Sequence, residues 1–344
     1  MMTGDFFSDA PGVSAAVGNH LWQSTGFAAA VWMVTLLLRK NQAQVRYGLW
    51  LASSVKFLVP FSLLIGLGGL VPQPQPAAIG PPPNLYAAVA IATQPFSEKP
   101  LPPTDSRVPV GSLRERLTAW LPVGLAAGWL CGVVAVLQTW HERWRKVAAA
   151  LRRALPVTCG RELEILRRLE NLTKARTLIP VVRSAEMMEP GIFGIVRPVL
   201  IWPERLSEVL EDEHLQAILA HEMTHARHRD NLIAALHMAV EAVFWFHPMV
   251  WWMGRRMVEE RERACDEAVV QLGSKPDLYA ESLLKACRFC VESPVACVSG
   301  ITGADLNKRI RTIMTIRLVK LGLMKKLALG GWVWSRWRGR LRLA

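Results

Sequence analysis

Three long apolar stretches constrain this chain more than any other feature. Leu21 to Leu38 is apolar apart from Gln23, Ser24, Thr25 and Thr35. Tyr47 to Val71 is a second run, interrupted by Lys56, which fits a span only if its side chain snorkels or faces another helix. Trp120 to Trp140 is a third, with tryptophan at both ends, where amphipathic rings favour a membrane interface. Each is long enough to cross a hydrocarbon layer as a helix. The apolar content of 51% is high for a soluble protein and ordinary for one with several spans. The first 38 residues hold no Lys or Arg, so they lack the basic start of a secretory signal.

The loops between these runs predict an orientation. Arg39, Lys40 and Arg46 follow the first run; Arg143, Arg145, Lys146, Arg152 and Arg153 follow the third. Basic loops stay on the cytoplasmic side, which puts the N-terminus outside. The expected organisation is a two-span hairpin over 1–71, an outside loop over 72–119, a third span over 120–140, a cytoplasmic domain over 141–300 and a basic tail over 301–344. The 72–119 loop is proline-rich (Pro72, Pro74, Pro76, Pro81 to Pro83) and lacks periodicity, as a flexible connection does. The tail is a poor span, interrupted by Lys320, Lys325 and Lys326, and reads as an interfacial helix or a truncated span. The expected location is the inner (cytoplasmic) membrane, crossed several times, with the lipid bilayer as an obligatory partner. Self-association is compatible with this architecture.

The net charge of +13 does not describe a nucleic-acid face. Eleven Lys/Arg in the last 40 residues stand against one acid, Asp305, and supply +10 of it. The remainder is nearly balanced, and no direct nucleic-acid binding is expected. None of the six cysteines lies in the outside loop, so disulfides are not expected. Cys287-x-x-Cys290 with Cys297 falls short of the four ligands of a zinc knuckle and reads as structural thiols.

Inside 141–300 the spacing predicts a helix over Glu162–Thr173, strands at Ile179–Arg183 and Val199–Trp202, a helix from Ser207 to about Leu236 and another from Met249 to about Leu272. The acids Glu208, Glu211, Asp212 and Glu213 crowd the expected helix start, where the dipole favours them. Leu232 to Met253 is aromatic and apolar but holds His237, Glu241, His247 and Pro248. It reads as a core or membrane-dipping hairpin rather than a lipid-facing span.

The chemistry sits in His221-Glu222-Met223-Thr224-His225, an H-E-x-x-H run. Residues four apart on a helix differ by only about 40° around its axis, so both imidazoles can ligate one ion. Glu222 is then placed as the general base. A zinc site needs a third protein ligand and an open position. Ten residues after His221 stands Asn231, which excludes the metzincin pattern. His228 shares the ligand face but is close enough to His225 to be a neighbour rather than a chelator. Glu262 and Asp266 share one face of a second helix, which suits a ligand and a carboxylate that orients a histidine, although a solvated charge run would look the same.

With these residues the chain resembles the BlaR/MecR-type antirepressor membrane metallopeptidases. The carrying segments are Asn19 to Thr25, Pro190 to Gly194 with Arg197-Pro198, Leu219 to His225, Arg229-Asp230, His247-Pro248 and Glu262 to Glu267. It is similar, more distantly, to CAAX-type membrane gluzincins. The resemblance implies a mostly α membrane protein, with N-terminal transmembrane helices before a cytoplasmic-side, zincin-like α+β metallopeptidase domain. It implies one Zn2+ per chain on His221, His225 and Glu262, with Glu222 catalytic and Asp266 and Asp230 supporting the ligands. It also implies cleavage of a cytosolic winged-helix repressor in response to a signal. The best-known members carry a C-terminal penicillin-binding sensor. The chain stops at Ala344, so no such sensor is expected. Two rivals stay open: a membrane quality-control protease of broad specificity, and a catalytically silent signalling scaffold, which Glu222 argues against. Val199 to Trp202 is the strand expected to receive substrate, and Tyr279 and His247 are the candidates for the oxyanion donor.

Overall fold

A computed structural model describes residues 10–39, 41–60, 91–96, 113–175, 177–187, 189–292 and 303–315. Most of these are helical. Helix α1 (Ala10–Leu37) and helix α2 (Ala43–Leu58) form a hairpin. The His20 imidazole meets the Phe57 carbonyl at 2.8 Å, and the Arg46 guanidinium meets the Leu38 carbonyl at 3.2 Å, so the two helices run antiparallel. Lys56 faces α1, with Nζ 3.3 Å from Ser24 Oγ. The second expected span continues to Val71, but residues 61–90 lie outside the described residues, as do most of the 72–119 loop and the tail after 315.

Helix α3 (Leu113–Arg153) contains Trp120–Arg153, the one helical stretch among the described residues long and apolar enough to cross a membrane. Its apolar face is bare: Trp120, Leu121, Leu125, Leu130 and Val134 are exposed. Where it touches the rest of the chain, Trp129 Nε1 donates to the Val243 carbonyl at 2.8 Å and Trp245 Nε1 to the Trp129 carbonyl at 3.2 Å. Gly132 seats the Trp245 indole, since a Cβ there would fall 2.1 Å from the ring.

After strand β1 (Leu155–Pro156) comes helix α4 (Arg161–Leu172), within a residue of the expected Glu162–Thr173. Strands β2 (Val181–Ser184), β3 (Gly191–Phe193) and β4 (Val199–Pro203) complete a sheet of order β1-β2-β4-β3. β2 and β4 are parallel; β1 and β3 pair antiparallel to their neighbours. Two expected strands are therefore present, and β1 and β3, which were not expected, complete the sheet.

The helix expected from Ser207 to about Leu236 is three. A short α5 (Leu206–Val209) precedes α6 (Asp212–His228), and α7 (Asp230–Val243) follows at once. The break is at Arg229, which adopts a left-handed conformation (φ 55°, ψ 42°). Helix α8 (Pro248–Gln271) matches its expected range, and the turn before it makes Leu232–Met253 a hairpin. Helix α9 (Pro276–Glu292) and helix α10 (Gly303–Thr315) close the described chain.

These elements bury two cores. One packs α4, β2, β4 and α6 around Leu166, Leu200, Trp202, Leu215, Leu219 and Tyr279. The other joins the α1–α2 hairpin to α7 and α8 through Trp50, Phe57, Val240, Val250 and Met253. Helix α8 belongs to both: Met253 and Met257 lie in the second core, Val269 and Val270 in the first. Glu262 stands between them. The hairpin grips α8 on either side of that position. The Arg46 guanidinium binds Glu260 Oε2 at 2.8 Å, with both side chains buried, and Glu267 caps the Ala43 amide at 3.0 Å.

Candidate metal centre

The H-E-x-x-H run lies near the C-terminal end of α6, with both imidazoles on the face turned to α8. His221 Nε2 and His225 Nε2 approach to 3.1 Å. Glu262 Oε2 lies 3.4 Å from the first and 3.9 Å from the second. The three ligating atoms lie within 4.8 Å of one another. Two imidazole nitrogens and a carboxylate oxygen converging this closely could hold a metal ion.

The outer nitrogens show why Nε2 is the free one. His225 Nδ1 lies 2.7 Å from Asp230 Oδ2, an acceptor, so the ring proton sits on Nδ1 and the Nε2 lone pair points inward. The helix break produces this contact: with Arg229 left-handed, α7 starts one residue later and brings Asp230 back beneath His225. His221 Nδ1 lies 2.9 Å from the Tyr279 hydroxyl, which donates to Asp266 Oδ1 at 2.7 Å. His221 Nδ1–H therefore donates to Tyr279, and Asp266 acts on His221 through that phenol; its direct separation is 3.5 Å. Asp266 in turn receives Arg309 from α10 at 2.7 and 3.2 Å.

Glu262 is divided between its two oxygens. Arg261 donates to Oε1 at 2.8 and 3.1 Å, leaving Oε2 for the imidazoles. Burial raises this carboxyl, but His221, His225 and Arg261 outweigh it and hold Glu262 well below the usual carboxylate range. Glu222 is buried and shifts the other way: desolvation raises it, opposed by His225 and His221. Burial lowers His225, yet the hydrogen bond to Asp230, with Glu262 and Glu222, leaves it above the ordinary imidazole value. One carboxylate is held charged, and its neighbour takes a proton more readily. That is the split expected when one coordinates and the other moves protons.

The structure brings together His221, Glu222, His225 and Glu262, with Asp230 and Asp266 behind the histidines. It keeps His228 apart, beside Thr224 and Arg227 in a separate hollow. His225, Asp230 and Cys265 form a second cluster, but the His225 Nδ1 proton is committed to Asp230. Burial, with Asp230 and Glu262, pushes the Cys265 thiol up, so it stays protonated. Cys287 is a free thiol, and Cys297 lies outside the described residues.

Three expectations are corrected. Tyr279 is fully buried behind His221 and cannot reach an oxygen on the Nε2 side. His247 sits near Thr25 and Phe57, away from the centre. Val199–Trp202 lies inside the sheet, paired on both sides, so β3 is the free edge beside the centre. Pairing on the other flank of β4 was invisible because a three-residue strand bounded by glycine has no periodicity. Sequence reasoning also missed Arg261 and Arg309. Arg309 lies beyond the expected domain end at 300, on a helix packed against α8 and α9.

A cleft of about 1340 Å³ opens onto the centre. Ile192 of β3, Trp140 and Trp144 of α3, Glu222, Glu262 and Arg309 line it. Asn231 Nδ2 donates to the Ile192 and Gly194 carbonyls at 2.9 and 3.1 Å, tying the edge strand to the start of α7.

The BlaR1 peptidase M56 family profile matches residues 16–313. The chain belongs to this family of peptidases. The M56 match includes α10 and so reaches Arg309. Among M56-like relatives, the regulatory protein BlaR1 of Bacillus licheniformis is 28% identical over 178 residues, 51% of this chain and 29% of that protein. The methicillin resistance mecR1 protein of Staphylococcus aureus is 27% identical over 109 residues, 31% of this chain and 19% of that protein. The chain thus spans less than a third of the length of either relative.

Proposed function

We propose that the protein is a zinc-dependent endopeptidase held in the cytoplasmic membrane, cleaving a transcriptional repressor on the cytoplasmic face in response to a signal. The carrying observation is the convergence of His221 Nε2, His225 Nε2 and Glu262 Oε2, with both histidines fixed in the Nδ1–H tautomer. A zinc ion on these three atoms would supply Lewis acidity toward the scissile carbonyl and acidify an attacking water. Glu222 accepts the proton of that water at its carboxylate and returns it to the leaving amine. Its burial favours the protonated form and so the uptake of that proton. Asp230 and the Tyr279–Asp266 pair hold the imidazole rings against rotation. The edge strand β3 offers an extended substrate a place to add, across the cleft from Glu222.

The repressor substrate is proposed by likeness to the regulatory relatives, and the cytoplasmic placement by the basic loops at Arg39–Arg46 and Arg143–Arg153. The test is substrate trapping: Glu222→Gln retained in cells and crosslinked should enrich a DNA-binding repressor that accumulates uncleaved. Enrichment of many unrelated membrane proteins instead would replace the repressor with a quality-control role.

A further inference from the structure

The triangle formed by His221 Nε2, His225 Nε2 and Glu262 Oε2 is bordered by one guanidinium. Arg309 Nη2 lies 3.4 Å from His221 Nε2, and Arg309 Nη1 lies 3.5 Å from Glu262 Oε2. The fork does not float. Nε and Nη2 are locked on Asp266 at 3.2 and 2.7 Å, a two-point grip that fixes both the plane and the rotation of the group. Nη1 is left over: among the described residues it makes only the 3.5 Å ion pair, and Arg309 lines the cleft. Three neighbouring donors face other partners: Arg261 Nε and Nη2 are on Glu262 Oε1, Lys308 pairs with Glu259, and Tyr279 is behind His221.

A cation here is not explained by metal binding. Placed 3.4 Å from a ligand nitrogen, it opposes the arrival of a second positive charge. It is explained by negative charge that appears during reaction. We propose that Arg309 is the oxyanion-stabilising residue of this site, donating from its guanidinium to the carbonyl oxygen of the scissile peptide. The proposal rests on the hydrolytic reading above. Water oxygen bonds to the carbonyl carbon, its proton passes to Glu222, and the π pair of the C=O bond moves onto the oxygen facing Arg309. As that pair returns, the C–N bond breaks and the amine nitrogen takes the proton from Glu222. Arg309 keeps its proton throughout, since a guanidinium is not deprotonated in proteins. Asp266 thereby has two roles: it orients His221 through Tyr279 and aims Arg309.

The test uses the full chain in detergent micelles and a phosphoramidate dipeptide, whose tetrahedral anion mimics the charged intermediate. Zinc content, thermal midpoint and phosphoramidate affinity are measured for the wild type, Arg309→Ala and Arg309→Lys. Arg309→Ala should lower the midpoint by leaving the buried Asp266 without its partner, while zinc content at saturating zinc stays near one equivalent in both variants. Phosphoramidate affinity should fall about 100-fold in Arg309→Ala, the scale on which loss of one oxyanion donor acts. Arg309→Lys, which keeps the charge and loses the fork, should fall between and serves if the alanine variant does not fold. Wild-type phosphoramidate affinity in Arg309→Ala would overturn the assignment and leave the hydrolytic reading standing. So would zinc and phosphoramidate binding lost in parallel in both variants, or a zinc-loaded wild type that ignores the phosphoramidate. A wild type that takes up no zinc would bring down the hydrolytic reading itself.

Discussion

Glu222 and Glu262 are both buried carboxylates against the same two imidazoles, and their different surroundings separate their work. Glu262 has Arg261 on one oxygen and the histidines on the other, so it stays charged. Among the described residues no arginine is hydrogen-bonded to Glu222, and burial raises it against His225 and His221. Glu222→Gln should therefore keep zinc and lose turnover by several orders of magnitude; wild-type turnover measured on a trapped substrate would remove Glu222 as the base. Glu262→Asp should cost most of the zinc affinity, because shortening by one methylene withdraws Oε2 while Arg261 still holds Oε1. Asp230→Asn should weaken zinc about 10- to 100-fold by releasing the His225 ring, read by competition with a chelating dye. At this scale the sequence carried the H-E-x-x-H spacing and the Glu262/Asp266 pair on one helix face, because helical periodicity converts spacing directly into proximity. It could not show that Tyr279 stands between His221 and Asp266, nor that Arg309 closes the cluster, since both contacts depend on how α9 and α10 dock.

Helices here set the site by where they stop. Arg229 halts α6 in a left-handed turn and α7 restarts at Asp230, which places that carboxylate against His225. The periodic apolar pattern runs on through this point, so the sequence read as one helix; nothing in an exposed arginine signals a break. A β-branched residue is strained in that conformation. Arg229→Val should destabilise the protein by about 1–3 kcal/mol, whereas Arg229→Gly should stay within about 1 kcal/mol of wild type, as read by thermal melting. The α1–α2 hairpin acts on the other metal helix. Arg46 and Glu260 are both buried, and Arg263 alone would remain on Glu260 in Arg46→Ala. That variant should lose about 3 kcal/mol, the lower part of the range for an uncompensated buried charge. Because Glu260 is two residues from Glu262, zinc affinity should fall with it; a fall in stability with unchanged zinc would mean that the hairpin does not position the ligand.

The whole molecule joins a bare apolar helix to a polar centre. Trp120–Arg153 carries its exposed apolar face up to Trp140 and Trp144, which line the cleft, so the centre lies close to the end of that helix. The orientation proposed from the basic loops puts that end on the cytoplasmic side. With native cysteines replaced by serine, a cysteine at Ser106 should react with an impermeant reagent in intact cells, and one at the exposed Glu208 should not; the reverse pattern would move the substrate outside. Of the three apolar runs, Trp120 to Trp140 lies in the one helical stretch among the described residues with the length and composition to cross a membrane. The two-core packing was not legible, because it depends on which faces of α7 and α8 meet the hairpin. The site as proposed holds a single zinc ion on His221, His225 and Glu262. Elemental analysis of the purified full chain tests it most directly. Near one equivalent of zinc in the wild type, retained in Glu222→Gln and lost in His221→Ala, His225→Ala and Glu262→Ala, is the predicted result. Full zinc occupancy in Glu262→Ala, or none in the wild type after incubation with excess zinc, would contradict it.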